Sequence, residues 1–404
     1  MERVKFYTLG CKVNQYDTQA IRESLESAGF KEIDNGGKAD IYLVNTCTVT
    51  HRADLDSLRL IRRAKRENPR ARIIVTGCLT ELDRQKIEAV QGIDLLIVKN
   101  RDKDKILKRL AKGNAQYTPR NARGISSFKG HTRAFLKVQD GCNNACSYCK
   151  VPLVRGPSRS RPLSEVIREA ERLAKNGFKE IVLCGICLGA YGNDLKPRLS
   201  LLEVIEGMER IDGLLRIRLS SIEAGDISSA LIAKLAGSKK LCPHLHIPIQ
   251  SGDDEILKKM QRRYRSADYL TLIKKLKDKV PGIAITTDIL VGFPGEQEEN
   301  FQNTLNLIKA IQPLKAHIFP YSRRAGTPAA RFCQQSDPAA VKQRVVRLKA
   351  VARDCALEYK SKFLGKDKEV LPECRVKDNP DFWEGYTNNY IKVLIKSSSS
   401  LKNQ

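Results

Sequence analysis

Between Gly141 and Cys149 the chain reads Gly-Cys-Asn-Asn-Ala-Cys-Ser-Tyr-Cys, which sets Cys142, Cys146 and Cys149 in a CxxxCxxC spacing. A structural zinc site closes with four protein ligands, and the next cysteine, Cys184, is too far downstream to complete such a knuckle. A cubane iron-sulfur cluster held by three thiolates leaves one iron open, and an open iron can bind a small molecule and do redox chemistry on it. The spacing therefore predicts chemistry at the metal. Three structural core cysteines would more often be scattered among apolar neighbours than gathered in one loop.

A second trio comes from distant sequence. Lys5-Phe6-Tyr7-Thr8-Leu9-Gly10, Ile41-Tyr42-Leu43-Val44-Asn45-Thr46 and Arg72-Ile73-Ile74-Val75-Thr76-Gly77 are strand-like runs, each followed by a helical period and each ending directly at a cysteine: Cys11, Cys47 and Cys78. Strand-helix alternation predicts a doubly wound parallel sheet, closed by a fourth run at Leu95-Leu96-Ile97-Val98. The carboxyl ends of parallel strands share one edge, where such folds bind ligands, so the three thiols should converge on a second cluster. Small core residues at strand ends are the plainer reading of the same pattern.

The first trio follows the strand-like run Ala134-Phe135-Leu136-Lys137-Val138. Five more runs succeed it at helix-separated intervals, beginning at Ile181, Arg216, His244, Ala284 and Ala316. Six units are too few for a closed eightfold barrel and predict an open, partial (β/α)6 barrel with its site at the strands' carboxyl ends. Gly185 and Gly189 would let backbone approach a nucleotide, while Ser220, Glu223 and Asp288 could hold ribose hydroxyls or an ammonium group. Cys184 and Cys187 form a CxxC with no second pair and read as packing. His244 and His246 share one face of a strand, but with no third ligand at usable sequence spacing they read as satisfied barrel histidines.

With 72 Lys and Arg against 46 Asp and Glu, the formal net charge is +26, most simply explained by a polyanionic partner such as nucleic acid. Arg59, Arg62, Arg63 and Arg66 fall on one helix face that could track phosphates, although such a stripe is as often merely solvated. The chain shows no apolar run of about 18 residues and no basic-then-apolar leader, which predicts a soluble cytoplasmic protein with reduced thiols. The 404 residues divide into a sheet domain over 1–115, a basic linker over 116–129 with Gly124 as a breaker, a barrel over 130–358, and a short β segment over 361–404.

Taken together, several segments resemble the radical S-adenosylmethionine (SAM) methylthiotransferases, and among them the branch acting on N6-threonylcarbamoyladenosine. The matching runs are Leu9 to Tyr16, Asn45 to Thr50, Thr76-Gly77-Cys78, Gly141 to Arg161, Leu188 to Gly192, His244 to Gly252, Thr286 to Gly295 and Phe319 to Ser322. The resemblance implies that Cys142, Cys146 and Cys149 hold the catalytic 4Fe-4S cluster that binds SAM. It implies that Cys11, Cys47 and Cys78 hold an auxiliary 4Fe-4S cluster, and that the barrel residues above contact SAM. The family's reaction replaces a hydrogen on an unactivated adenine carbon with a methylthio group; one SAM supplies the methyl group and another a radical, since no acidic proton is there for a base to remove. Implied partners are tRNA, a flavodoxin- or ferredoxin-like electron donor and a sulfur-supply system, with no membrane. Sibling enzymes act on isopentenyladenosine in tRNA or on a ribosomal protein, and a non-catalytic iron-sulfur RNA-binding protein is the alternative of another class.

Residues 361–404 resemble the opening of a TRAM domain, a small RNA-gripping β-barrel, through Phe363-Leu364-Gly365 and Trp383 to Tyr390. The run ends after Val393-Leu394-Ile395-Lys396 in a Ser-rich tail, and a barrel lacking strands predicts an exposed edge and a frayed module. Cys184 and Cys187 stand where the family's pattern has Thr and His.

Overall fold

The computed structural model describes residues 1–33, 36–103, 105–110 and 124–401. Two compact units are present, one formed by residues 1–129 with 140–144 and 149–159, the other by 130–139, 145–148 and 160–404.

In the first unit the described strands are β1 (Arg3–Thr8), β2 (Lys31–Glu32), β3 (Ile41–Thr46), β4 (Arg72–Gly77) and β5 (Leu95–Leu96), and all pair in parallel in the order β2-β1-β3-β4-β5. Helices α1 (Lys12–Ser27), α2 (His51–Glu67), α3 (Cys78–Leu82), α4 (Arg84–Glu88), α5 (Lys105–Leu110) and α6 (Val151–Arg155) complete it. Strand side chains alternate between faces, so both faces of the central strands carry apolar rows. Tyr42, Val44, Ile73 and Val75 pack with Ile61 and Ala64 of α2, while Val4, Ile41, Leu43 and Ile74 pack with Ile21 and Leu25 of α1 and Ile106 of α5. The sheet is doubly wound, as the alternation predicted. The fourth run shrinks to Leu95 and Leu96, and β2 is an added edge strand that pairs over two residues only.

The basic stretch expected as a linker, 116–129, lies outside the described residues up to position 123. Its end is tied down: Ile125 and Phe128 are buried, and the Ser126 amide donates to Glu23 Oε2 of α1 at 2.7 Å.

The second unit contains all six expected strands, β6 (Arg133–Lys137), β9 (Glu180–Cys184), β10 (Arg216–Leu219), β11 (His244–His246), β12 (Ala284–Val291) and β13 (Lys315–Pro320). The two-residue strands β7 (Gln139–Asp140) and β8 (Arg159–Ser160) pair with each other. The first three of the six pair in parallel, as do the last three, and bridges Ile217 to Leu241 and Ser221 to His246 join the two sets. This is the partial barrel, with helices α7 (Leu163–Lys175), α8 (Leu201–Glu209), α9 (Ser229–Gly237), α10 (Asp254–Lys259), α11 (Ser266–Lys279) and α12 (Glu298–Ile311) between strands.

Helix α13 (Pro338–Ser361) leads to an antiparallel sheet of β14 (Val370–Val376), β15 (Asn379–Thr387) and β16 (Lys392–Lys396). Far from being frayed, this sheet is fastened to the barrel. Glu180, fully buried, receives Arg218 Nε at 2.6 Å, and the same guanidinium donates from Nη1 to the Asn388 carbonyl at 2.9 Å. Arg216 Nη1 donates to the Tyr386 carbonyl at 3.1 Å, and the Tyr390 ring lies 4.5 Å from that of His244. Buried arginines thus exchange their hydration for a carboxylate and for carbonyls that a loop would otherwise leave to water.

Candidate metal and cofactor site

The auxiliary trio is positioned by strand order. β1, β3 and β4 are neighbours, and the pairings Thr8 with Asn45 and Thr46 with Gly77 bring their carboxyl ends into line. Cys11 is the residue before α1 and Cys78 the first residue of α3, so both thiols stand where a strand hands over to a helix. Gly77 takes φ +109°, and a Cβ there would meet the Thr46 carbonyl at 2.3 Å. A Cβ on Gly10 would lie 2.9 Å from Cys47 Sγ, so the first loop passes directly against the second thiol. Burial pushes the Cys47 thiol up to about 12, with Cys78 and Cys11 adding to the shift by Coulomb repulsion, so the sulfurs are near enough to oppose one another's ionisation. Burial also raises Cys78, while Arg155 and Lys103 act to lower it.

Around these thiols lies a polar shell that sequence reading passed over. Asn14 Nδ2 donates to the carbonyls of Leu9 and Thr46 at 2.8 Å each, tying the loops of Cys11 and Cys47 together. Its Oδ1 accepts from Arg155 Nη2. Arg155 Nη1 also reaches Asp17 at 3.3 Å and both Asp140 oxygens at 3.1 Å, and Lys103 Nζ donates to Asp17 at 2.8 Å. The signal was there, in Asn14 three residues after Cys11 and Arg155 six after Cys149, but neither is an iron ligand by type.

The CxxxCxxC loop divides between the units. Cys142 and Cys149 belong to the first, and their sulfurs face the amides of Asn144 and Val151 at 3.4 Å each. Cys146 belongs to the second, where Arg262 Nη1 lies 3.5 Å from its sulfur. Arg262 also pairs with Glu223 and donates to the Pro248 carbonyl at 3.1 Å. Its side chain is 3% exposed, and despite that burial the surrounding Tyr148, Tyr264, Glu223 and Cys146 hold its pKa above the usual arginine range.

The expected SAM contacts separate on inspection. Glu223 joins Cys146 through Arg262, and Ser220 Oγ is buried with no hydrogen-bond partner among the described residues. Gly185 and Gly189 serve close packing, since a Cβ would lie 2.8 Å from Gln139 Oε1 and 2.3 Å from Asp226 Cβ respectively. Cys187 Sγ lies 3.8 Å from Asp226 Oδ2, and Cys184 is buried in its strand. Asp288 Oδ2 is 3.2 Å from His246 Nε2, and His317 completes a group whose ligand-type atoms all lie within 4.8 Å of one another. His244 Nε2 and His246 Nδ1 both meet Thr286 Oγ1, at 3.1 and 2.9 Å, but His246 has the further ligand-type neighbours that its sequence spacing did not offer. The other two members of the group, Asp288 and His317, come from neighbouring strands, which sequence spacing does not reveal.

The residues fit iron-sulfur clusters. Beside Cys78 the Nε of Arg155 is buried without an acceptor and Asn100 Oδ1 without a donor among the described residues. An unpaired buried N–H next to thiols suits a cluster whose sulfurs accept hydrogen bonds.

A partial parallel barrel with a CxxxCxxC loop after its first strand defines a radical SAM protein, and a model of the radical SAM superfamily matches residues 136–308. A model described as uncharacterized protein family UPF0004 matches residues 3–98. A cobalamin-binding radical SAM methyltransferase, TsrM of Kitasatospora setae, shares the fold with a TM-score of 0.56 at 16% identity over 81% of this chain and 77% of its own. The chain is 42% identical to the threonylcarbamoyladenosine tRNA methylthiotransferase MtaB of Bacillus subtilis, covering 99% of this chain and 92% of that one. Identity to the same-named protein of Thermotoga maritima is 37%, over 97% and 91%. Identity to the tRNA-2-methylthio-N(6)-dimethylallyladenosine synthase of Desulfitobacterium hafniense is 33%, over 99% and 93%. The chain belongs to the radical SAM methylthiotransferase family, MtaB type.

Proposed function

We propose that the protein methylthiolates C2 of N6-threonylcarbamoyladenosine at position 37 of tRNA. The observation that carries the reading is the second thiol set, Cys11, Cys47 and Cys78, at one edge of a sheet that precedes a radical SAM barrel. When bound, two 4Fe-4S clusters and SAM supply radical hydrogen abstraction, the sulfur and the methyl group. Cys142, Cys146 and Cys149 are the ligands of the SAM-binding cluster, and the other trio those of the auxiliary one. Arg262 and Glu223 together offer a cation to a carboxylate and an anion to an ammonium group beside Cys146, as an amino-acid cofactor requires. Ser220 offers its hydroxyl, and Asp288 a carboxylate, to a ribose.

The imidazoles of His246 and His317, on the strands either side of the one that carries Asp288, suit a base substituent carrying hydroxyl and carboxylate better than an apolar isopentenyl chain. Identity is also higher to the threonylcarbamoyl enzymes than to the dimethylallyl one. The net charge of +26 matches a tRNA partner, bound with strong salt dependence. Arg59, Arg62, Arg63 and Arg66 are exposed on α2, though Arg59 pairs with Asp56 and Arg63 with Glu67. Among the described residues no helix is long and apolar enough to cross a membrane, and the reading places the enzyme in the cytoplasm with a flavodoxin- or ferredoxin-like reductant and a sulfur-supply system. Residues 1–115 carry the auxiliary cluster, 130–358 the radical core and 361–404 an RNA-binding TRAM-like sheet, with 116–129 between the first two.

Nucleoside mass spectrometry of tRNA from a deletion strain tests the assignment. Loss of the methylthio mark from threonylcarbamoyladenosine alone supports it, whereas loss from isopentenyladenosine points to the sibling activity. Incubating reduced, reconstituted protein with SAM and finding no 5'-deoxyadenosine would leave only a binding protein.

A further inference from the structure

Arg155 is 5% exposed and lies in the first unit together with all of the groups it touches. Both its terminal nitrogens have acceptors: Nη2 donates to Asn14 Oδ1, and Nη1 to Asp17 and Asp140. Asn14 is in turn fixed by the carbonyls of Leu9 and Thr46, one on the approach to Cys11 and the other immediately before Cys47. Asp140 lies two residues before Cys142. One guanidinium is therefore wedged among the chain segments that carry thiols of both sets, and the nitrogen left over, Nε, is buried without an acceptor among the described residues. Asn100 Nδ2 links its neighbour to Cys78, donating to the Val154 carbonyl at 2.9 Å and lying 4.0 Å from Cys78 Sγ.

A buried orphan donor is costly, so a native fold that keeps one places it where an acceptor comes later. The acceptor chemistry at hand is sulfur. Hydrogen bonds and positive charge at cluster sulfurs stabilise the reduced, more negative state and raise the reduction potential. Lys103 is buried on Asp17 close by, so two cations and the carboxylates of Asp17 and Asp140 form a nearly neutral set in which any single removal changes the field at Cys78 with a definite sign.

We propose that Arg155 is a positioning residue of the auxiliary cluster: held by Asn14, Asp17 and Asp140, it presents a fixed positive charge and its Nε–H to sulfur at Cys78 and keeps that cluster's reduction potential high. The inference rests on the reading of Cys11, Cys47 and Cys78 as the auxiliary ligands. It goes beyond that reading by naming a non-ligand that connects the approach to Cys142 with the auxiliary thiols.

The test is a mediated redox titration of the full-length protein with both clusters reconstituted, followed by electron paramagnetic resonance. Added SAM perturbs the signal of the cluster with the open iron, leaving the unperturbed signal as the auxiliary one. In R155M the reduced-to-oxidised ratio of that signal at a fixed potential should fall about tenfold, about 59 mV for one electron. R155K, which keeps the charge, should stay nearer the wild type, and D17N, which removes a negative charge, should move the ratio in the opposite direction. An unchanged ratio in R155M with the signal intact, or a D17N shift of the same sign as R155M, would overturn the proposal. Should R155M fail to hold the cluster, D17N decides, and wild-type behaviour there counts against the proposal. C78A separates the two levels: if the SAM-insensitive signal survives there, the ligand reading fails, and if it is lost while R155M titrates as wild type, only the role of Arg155 fails.

Discussion

Arg262 Nη1 stands 3.5 Å from Cys146 Sγ while its guanidinium grips Glu223, so a cation and an anion are held side by side at one thiol of the CxxxCxxC loop. Neither is a metal ligand by type, and under the proposed function they meet the carboxylate and the ammonium group of an amino-acid cofactor. R262M should weaken SAM binding about ten- to a hundredfold, the size of a lost charge-assisted hydrogen bond of ~1.5–3 kcal/mol. Iron content should stay unchanged. The SAM-induced change in the cluster's resonance spectrum, titrated against SAM, is the measurement.

The two thiol sets should part company under mutation. The triple variant C11A/C47A/C78A should retain about four irons per chain instead of about eight, one cubane having lost its ligands. It should still form 5'-deoxyadenosine from SAM but transfer no methylthio group. Iron and sulfide analysis paired with product chromatography checks both halves.

His317 tests the substrate assignment without touching the clusters. H317L removes a polar member of the group containing His246 and Asp288. Turnover of threonylcarbamoyladenosine tRNA should drop by about tenfold or more, the loss of a hydrogen-bonding partner for a polar substituent. SAM cleavage without tRNA should be preserved. Equal turnover by variant and wild type would remove His317 from recognition.

Glu67 gives a pH signature. Partial burial opposes its charge, but hydrogen bonds from Lys5 Nζ, Tyr7 Oη and Arg63 Nε prevail and hold its pKa at about 2. A depressed carboxylate contributes stability above its unfolded value of 4.5, and that contribution is lost as pH falls from there toward 2. E67Q should therefore be destabilised by about 1–2 kcal/mol at pH 7, after allowance for solvent screening, and should converge on the wild type near pH 2. Urea denaturation across that range reads the difference.

The C-terminal sheet should depend on the buried pair Glu180 and Arg218. R218M leaves Glu180 with fewer partners in the interior and removes the donors to the Thr387 and Asn388 carbonyls. A loss of about 3–5 kcal/mol is expected for breaking such a pair. Limited proteolysis should then cut within residues 370–396 before the barrel.

Sequence alone determined the two cysteine sets, the doubly wound sheet and the six barrel strands, because thiol spacing and hydrophobic period are local quantities and parallel strand order delivers Cys11, Cys47 and Cys78 to one edge. It also carried the family, through runs around both sets. Tertiary structure decided what pairs with what. Arg155 with Asp17, Arg262 with Cys146, His246 with Asp288 and His317, and Arg218 with the Asn388 carbonyl are separated by 29 to 170 positions or join different strands. Their partnership arises from desolvation, which drives buried and half-buried polar groups to find a charge or hydrogen-bond partner wherever the fold brings one. The same cause reversed the expectation for the final β segment: buried arginines at the barrel strands capture its carbonyls, an attraction that no periodicity in residues 361–404 encodes.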